Sequence, residues 1–153
     1  MNYTFKYFKE LTGNELYNIY YLRCLVFVVE QNCAYQDVDE TDLIAAHLML
    51  LEKDRLIAYA RIIPPSEYSK YPQIGRVVVH PDFRGKTLGQ ALMKTSIEKC
   101  KLRYPKLDIR ISAQSHLKAF YKELGFITEG QEYMEDNIPH IAMTLHHTSS
   151  QIV

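Results

Sequence analysis

Between Arg76 and Gln90 the chain reads Arg-Val-Val-Val-His-Pro-Asp-Phe-Arg-Gly-Lys-Thr-Leu-Gly-Gln, and its chemistry lies in the second half. A short β-branched run, residues 76–79, is stopped by Pro81, and Gly85 and Gly89 flank the first turn of a helix predicted to begin near Leu88. A strand-to-helix turn of this kind aims unpaired backbone N–H groups and a helix dipole at one point. Arg84 and Lys86 add positive charge there. The product is an anion cradle suited to a phosphate or pyrophosphate. Two better-known cradles do not fit. Gly85-Lys86-Thr87 ends like a nucleotide P-loop, but that motif needs a glycine five residues before Gly85, where His80 stands. Residues 84–89 also lack the glycine spacing of the dinucleotide fingerprint.

The elements that must hold this cradle can be read along the chain. Residues 3–8 alternate as a first strand, and Thr12-Gly13-Asn14-Glu15 has capping-box spacing. The helix it starts is expected to run to about residue 30, stacking Leu16, Tyr20, Arg23 and Phe27. Residues 32–42 form a polar, acidic connection long enough to border a site, carrying Cys33, Tyr35, Gln36 and Asp37. Residues 46–53 and 56–63 read as a hairpin about Asp54-Arg55, ended by Pro64-Pro65. A surface loop over 66–73 precedes a strand over 74–80.

After the cradle, Leu88, Leu92, Met93, Ile97, Cys100 and Tyr104 fall on one half of a helical wheel, so that helix packs on a sheet. Residues 107–113 alternate as a strand parallel to the one before the cradle. Ser115 is placed to cap a helix over 115–124 that Gly125 stops. Strands over 126–128 and 140–145 close the sheet, separated by a polar segment, and the tail from about residue 146 is expected to fray. The fold class is α/β, a sandwich of helices on a mixed sheet.

At 153 residues the chain is long enough for one domain, 1–153, and for a sizeable core. Eighteen acids against eighteen bases give no global field that would favour nucleic acid or an anionic membrane, and no basic-aromatic stripe is present. No apolar run approaches membrane-spanning length. Cys24, Cys33 and Cys100 are odd in number and lack metal spacing, the usage of reduced thiols in a cytoplasm. His146-His147 has no further ligands at metal spacing, so no metal is expected.

Set against known families, the cradle resembles the coenzyme A motif of the GNAT acyltransferases, Gln/Arg-x-x-Gly-x-Gly/Ala. Arg84 and Gly89 match, Leu88 is the usual aliphatic residue, and Thr87 stands where glycine is usual. A Cβ there narrows the approach to a pyrophosphate and restricts φ, although a hydroxyl can donate to a phosphate oxygen. A second stretch, Gln114-Ser-His-Leu-Lys-Ala-Phe-Tyr-Lys-Glu-Leu-Gly-Phe126, resembles the GNAT pattern Asn-x-x-Ala-x-x-x-Tyr-x-x-x-Gly-Phe. Tyr121, Gly125 and Phe126 match; Gln114 replaces Asn and Leu117 replaces Ala. Phe27-Val-Val-Glu-Gln-Asn-Cys33, Tyr35-Gln-Asp-Val-Asp39, Ala113-Gln114 and Glu135-Asp-Asn-Ile-Pro-His-Ile141 narrow the resemblance to the ElaA-like branch. Asn137 replaces a glycine of that branch, at a position expected to need φ > 0.

The resemblance implies a mostly antiparallel sheet flanked by helices, with a central strand splayed at a cofactor cleft. It also implies acetyl-coenzyme A as co-substrate and direct transfer of the acetyl group to an amine, on a small molecule or a protein. Residues Val77, Val78 and Val79 would meet the pantetheine, and the amides of Gly85, Lys86, Thr87, Leu88, Gly89 and Gln90 the pyrophosphate. A strand N–H near Val78 would hold the oxyanion. Tyr121 would protonate the departing thiolate, and Gln114 would bond the pantetheine or a water. On the substrate side Cys33, His47 and His140 are candidates, with His116, Glu30, Glu132 and Glu135 as further possible bases, beside a water chain with no single base. The departures at Thr87 and Gln114 keep a second reading open, a coenzyme A-binding sensor without transfer activity. Acceptor identity and a homodimer are equally open.

Overall fold

The computed structural model describes residues 1–148. Seven strands make one sheet in the order β1–β2–β3–β4–β5–β7–β6. They are β1 (Asn2–Tyr7), β2 (Ala46–Glu52), β3 (Arg55–Ile63), β4 (Gln73–Val79), β5 (Ile109–Gln114), β6 (Ile127–Glu135) and β7 (Ile138–Leu145). Alternation along β2 and β3 decides the layers. Leu48, Leu50, Ala58, Ala60 and Ile62 face α3 (Leu88–Arg103), meeting its Leu92, Met93, Ile97 and Cys100. Met49 and Tyr59 face α1 (Gly13–Arg23), meeting Ile19 and Leu22. Both amphipathic helices thus lie where their apolar spacing sends them, one on each face.

Thr12 and Glu15 make the expected capping box: the Glu15 N–H reaches the Thr12 hydroxyl at 3.1 Å, and the Thr12 N–H reaches the Glu15 carboxylate at 2.9 Å. The helix continues to residue 30 as predicted, but Cys24–Glu30 is π-helical. The Gln31 N–H bonds the Val26 carbonyl at 3.1 Å and the Cys33 N–H bonds that of Val28 at 3.0 Å, both five residues back. A short α2 (Thr41–Ile44) then lies inside the expected loop.

The site depends on how β4 meets its neighbours. Against β3 it pairs as Tyr59↔Val78 and then Arg61↔Gly75, so Arg76 and Val77 together oppose Ala60. That is a β-bulge, and Arg76 sits in it at φ 49°. Against β5 it is parallel and pairs at the single position Gln73↔Arg110. Beyond that pair the two strands part, opening the sheet at the carboxyl end of β4.

Several local expectations need correction. The β2–β3 turn is Lys53-Asp54, not Asp54-Arg55; both residues have positive φ, 49° and 67°, as a two-residue hairpin turn of the primed type demands. Residues 129–139 are not a separating polar segment. They carry most of β6, an Asp136-Asn137 turn with φ 49° and 62°, and the start of β7. The polarity reflects an outward-facing hairpin, and Asn137 has the positive φ expected of it. Ser115 is not the helix cap: among the described residues its buried hydroxyl has no partner, and residues 115–117 are a 3-10 turn ahead of α4 (Lys118–Glu123). Of the tail expected to fray, His146 and His147 are tied to the Asp108 carboxylate at 2.9 and 2.8 Å. Residues 149–153 lie outside the described residues.

Candidate active site

A cleft of about 700 Å³ opens where β4 leaves β5. One wall is the π-helical segment, presenting Val26, Phe27, Glu30 and Gln31; the other is Gln114, Leu117, Phe120 and Tyr121. Val77, Val78 and Val79 line its base, and Arg84, Gly85, Thr87, Leu88, Gly89 and Gln90 line its end. Of the predicted cradle residues, Lys86 alone does not border the cleft; its ammonium lies 5.5 Å from the Phe83 ring centroid.

The turn before α3 leaves its backbone N–H groups unpaired. Among the described residues, no protein acceptor takes the N–H groups of residues 85–90, and Ala91 is the first to bond backward, to Thr87 at 3.1 Å. Gly85 has φ 78° and Thr87 has φ 59°. Left-handed backbone at a β-branched residue is strained, which gives the usual glycine at position 87 a physical reason. The Thr87 hydroxyl donates to the Lys86 carbonyl at 2.6 Å. Gly89 faces the cleft closely: a Cβ there would lie 3.7 Å from the Phe120 ring and 3.8 Å from a Val79 methyl. Arg84 turns outward from the cradle amides. Its guanidinium grips Glu30 through two bonds of 2.7 and 3.0 Å and donates to the Val79 carbonyl at 3.3 Å. The hydrogen bond from Arg84 holds the Glu30 carboxyl below its usual range, and the pair straps the cradle to the π-helical segment.

Strand parity fixes which β4 amides are free. The His80 N–H bonds the Ile57 carbonyl at 2.8 Å, and Val78 pairs with Tyr59 in the same register, so Val78 directs its N–H to β3. Val77 and Val79 direct theirs to the cleft side, consistent with the Val79 carbonyl being reached by Arg84. The Val78 side chain packs under α1 instead.

Tyr121 is held by the end of its own helix. The Phe126 N–H bonds the Tyr121 carbonyl at 3.2 Å and the Gly125 N–H bonds that of Lys122 at 3.0 Å, with Gly125 at φ 101°. This is a Schellman motif, and the contact it calls for is the edge-to-face pair of Tyr121 and Phe126, 6.1 Å between centroids. The Tyr-x-x-x-Gly-Phe spacing is therefore a helix stop that fixes one phenol. Burial pushes that phenol's pKa up to about 12.

A second, smaller cavity of about 230 Å³ lies beyond Tyr121. Phe27, Gln31, Val77, Gln114, Leu117 and Tyr121 line both spaces, so the two meet at the phenol. The Gln114 amide N–H donates to the Gln31 side-chain oxygen at 3.4 Å across the junction. Cys33 and His140 border the smaller cavity, and the Cys33 thiol donates to the Asp136 carbonyl at 3.2 Å. His47 borders neither. It is wholly buried, 2.7 Å from the Tyr59 hydroxyl and 2.9 Å from the Asp42 carbonyl, and burial lowers its pKa. His47 therefore lies apart from Cys33 and His140, which the structure brings together on the smaller cavity. His116 lines only the larger cleft, and Glu132 lines neither.

Sequence reasoning missed the group that shapes this junction. Arg23 bonds Asp37 at 2.9 Å and Asp42 at 2.7 Å; Arg61 bonds Asp39 at 2.6 Å and Asp42 at 2.9 Å. Arg76, in the bulge, donates to the Asp37 carbonyl at 3.0 Å, and its Nε lies 2.9 Å from that carboxylate, off the hydrogen-bond line. Burial alone would raise the pKa of Asp42, but Arg23 and Arg61 override it and hold the carboxyl below its usual range. The acidic spacing Asp37-x-Asp39-x-x-Asp42, set against lone arginines in apolar runs, was the available signal. Among the described residues no group of three His, Cys, Asp or Glu side chains is placed to hold a metal ion, and no helix is long and apolar enough to cross a membrane.

A splayed β4 beside β5, a free-amide turn at its end and a phenol at the parting define the architecture of coenzyme A-dependent N-acyltransferases. The family model described as an acetyltransferase (GNAT) domain matches residues 19–147, and the chain belongs to this family. Within it, the chain is 44% identical to the protein ElaA of Escherichia coli over 136 residues, covering 88% of this chain and 89% of that one. The crystal structure of Escherichia coli ElaA superposes with a TM-score of 0.88 at 42% identity, over 94% of this chain and 99% of that one. An acyl-CoA N-acyltransferase from Pseudomonas aeruginosa gives 0.89 at 40% identity, over 94% and 97%. A UPF0039 protein of Schizosaccharomyces pombe is 44% identical over 95% of this chain and 97% of its own length.

Proposed function

We propose that this chain is an N-acetyltransferase that moves an acetyl group from acetyl-coenzyme A to an amine in a ternary complex. The observation that carries the reading is the meeting of the two cavities at Tyr121, with free backbone N–H groups on the β4 side of the larger one. The residues present fit coenzyme A. The amides of residues 85–90 would take the pyrophosphate, and the exposed edge at Val77 and Val79 would pair with the pantetheine amides in strand fashion.

When bound, the coenzyme supplies an activated acyl carbon. The chain's own groups do the rest. The Val77 N–H, directed to the cleft by strand parity, is aimed to hold the oxygen that becomes negative as the amine attacks. The carbon–nitrogen bond forms, the carbon–sulfur bond breaks, and the proton of Tyr121 goes to the leaving sulfur. Burial pushes this phenol's pKa up to about 12, which favours the protonated form that a proton donor needs. Gln114 and Gln31 brace the junction.

Calorimetry with acetyl-coenzyme A tests the binding half. Gly89→Val fills the gap between Phe120 and Val79 and should weaken affinity at least about tenfold, ~1.4 kcal/mol, whereas Gly89→Ala, whose Cβ makes ordinary contacts, should change it little. Thiol release on mixing the parent protein with acetyl-coenzyme A and a panel of amines tests the transfer half. Equal affinity in all three proteins would place the coenzyme elsewhere. Tight binding without amine-dependent release would leave a sensor in place of an enzyme.

A further inference from the structure

Leu117 is a large apolar side chain without a place in the core. Of the residues that line both the larger cleft and the smaller cavity, Phe27, Val77 and Leu117 are the aliphatic or phenyl ones. Val77 packs against the core shared with α3, and Phe27 against the core shared with α1. Among the described residues, Leu117 belongs to neither cluster, and it is 38% exposed. Its backbone is nevertheless held. Leu117 closes the 3-10 turn Ser115–Leu117, where the Lys118 N–H bonds the Ser115 carbonyl, and it stands at the N-cap of α4. It also occupies a position where the resembled motif usually has alanine. Stability does not explain a leucine here, because an apolar side chain left out of the core gains little from burial.

The chemistry of the junction says what such a side chain would meet. With the thioester oxygen on the Val77 N–H and the sulfur beside the Tyr121 phenol, the pantetheine fills the larger cleft. The acyl tail then leaves the carbonyl carbon on the opposite side, into the junction. One half of that junction is polar and closed: Gln114 donates to Gln31 at 3.4 Å, and an alkyl chain there would break this bond and replace it with nothing. The apolar half, Phe27 and Leu117, is the wall left for a tail. Phe27 is backed by the core, so the bulk of Leu117 sets the room beside it. Leucine exceeds alanine by about three carbons, which is the length of tail at stake.

Resting on the acyl-transfer reading, we propose that Leu117 is a stop for the acyl chain. It restricts the thioester used by this site to acetyl and propionyl groups, and its truncation would admit a butyryl chain along Phe27. The coenzyme and the Tyr121 phenol keep their places whichever acyl group is carried, so Leu117 is a specificity residue and not a catalytic one.

The test measures thiol release with n-butylamine as acceptor for acetyl-, propionyl- and butyryl-coenzyme A, and the affinity of the same three thioesters by calorimetry. In the parent, kcat/KM should be at least about tenfold lower for butyryl- than for acetyl-coenzyme A, the usual discrimination against added methylenes. Leu117→Ala should raise the butyryl-to-acetyl ratio at least about tenfold. Leu117→Phe should lower the propionyl-to-acetyl ratio, the opposite direction, which a general loosening of α4 would not do. Leu117→Met, of similar volume, should keep the parent's ratios within about threefold. Where n-butylamine is not turned over, the ratios of affinities decide in place of the ratios of rates; the same shifts would keep the acyl stop and remove the transfer reading. A parent that takes butyryl as readily as acetyl, a butyryl-to-acetyl ratio in Leu117→Ala within about threefold of the parent's, or one common direction of change in Leu117→Ala and Leu117→Phe would overturn the inference.

Discussion

At the scale of single residues, Thr87 stands where the resembled motif usually has glycine. Its left-handed φ of 59° is a conformation that glycine accepts freely and a β-branched residue resists, at about 1–3 kcal/mol. Thr87→Gly relieves that strain but loosens the unfolded chain, so the melting temperature should rise by only a few degrees at most. The hydroxyl already bonds the Lys86 carbonyl, so a valine that loses it should be less stable than the parent. Calorimetric melting of the three proteins, with acetyl-coenzyme A affinity measured beside it, checks both. A glycine variant that melts well below the parent would show that Thr87 is not strained. His47 offers a second residue-scale outcome. Its pKa is lowered by burial, so the unfolded chain binds the proton more readily. Its contribution is fully present above about pH 6.5 and is lost as pH falls from there toward its folded value. Urea unfolding should therefore show stability declining below about pH 6.5, with a shallower slope in His47→Gln.

At the scale of elements, two ion-pair groups hold the site and differ in what they contribute. Arg84–Glu30 straps the cradle to the π-helical segment, but both side chains are more than 40% exposed. Glu30→Gln should change stability by less than about 1 kcal/mol. The Arg23, Arg61 and Arg76 group is largely buried and pins residues 37–42 against the β4 bulge. Arg23→Met leaves two buried carboxylates short of a partner and should cost about 3–5 kcal/mol in urea unfolding; a loss under 1 kcal/mol would mean the group is adaptable. Its absence from the sequence reading has a physical cause. Helix α3 and the β2–β3 pair were legible because apolar periodicity reports which face is buried. Arg23 was legible as a helix position, but nothing in a 3.6-residue period says which carboxylate it will meet fourteen and nineteen residues later. The π register at Cys24–Glu30 was hidden likewise, since it depends on tertiary packing, and of the Asp136-Asn137 turn only the positive φ of Asn137 was legible, not the hairpin built on it.

At the scale of the molecule, the splayed sheet joins two spaces of different chemistry at one phenol. The free-amide turn and the helix stop at Tyr121 were legible because both are local motifs. The second cavity was not, because β4, β5, the β6–β7 hairpin and residues 31–35 converge on it from four parts of the chain. The whole account rests on Tyr121 acting at their junction as the proton donor. The most direct test is steady-state kinetics of Tyr121→Phe, which keeps the packing on Phe126 and removes only the hydroxyl, using any amine that the parent acetylates. The predicted result is acetyl-coenzyme A affinity within about twofold of the parent and kcat lower by about 10²–10⁴. Because the phenol's pKa is about 12, the parent should also show no loss of rate from this group up to about pH 10. Full activity in the phenylalanine variant would contradict the account.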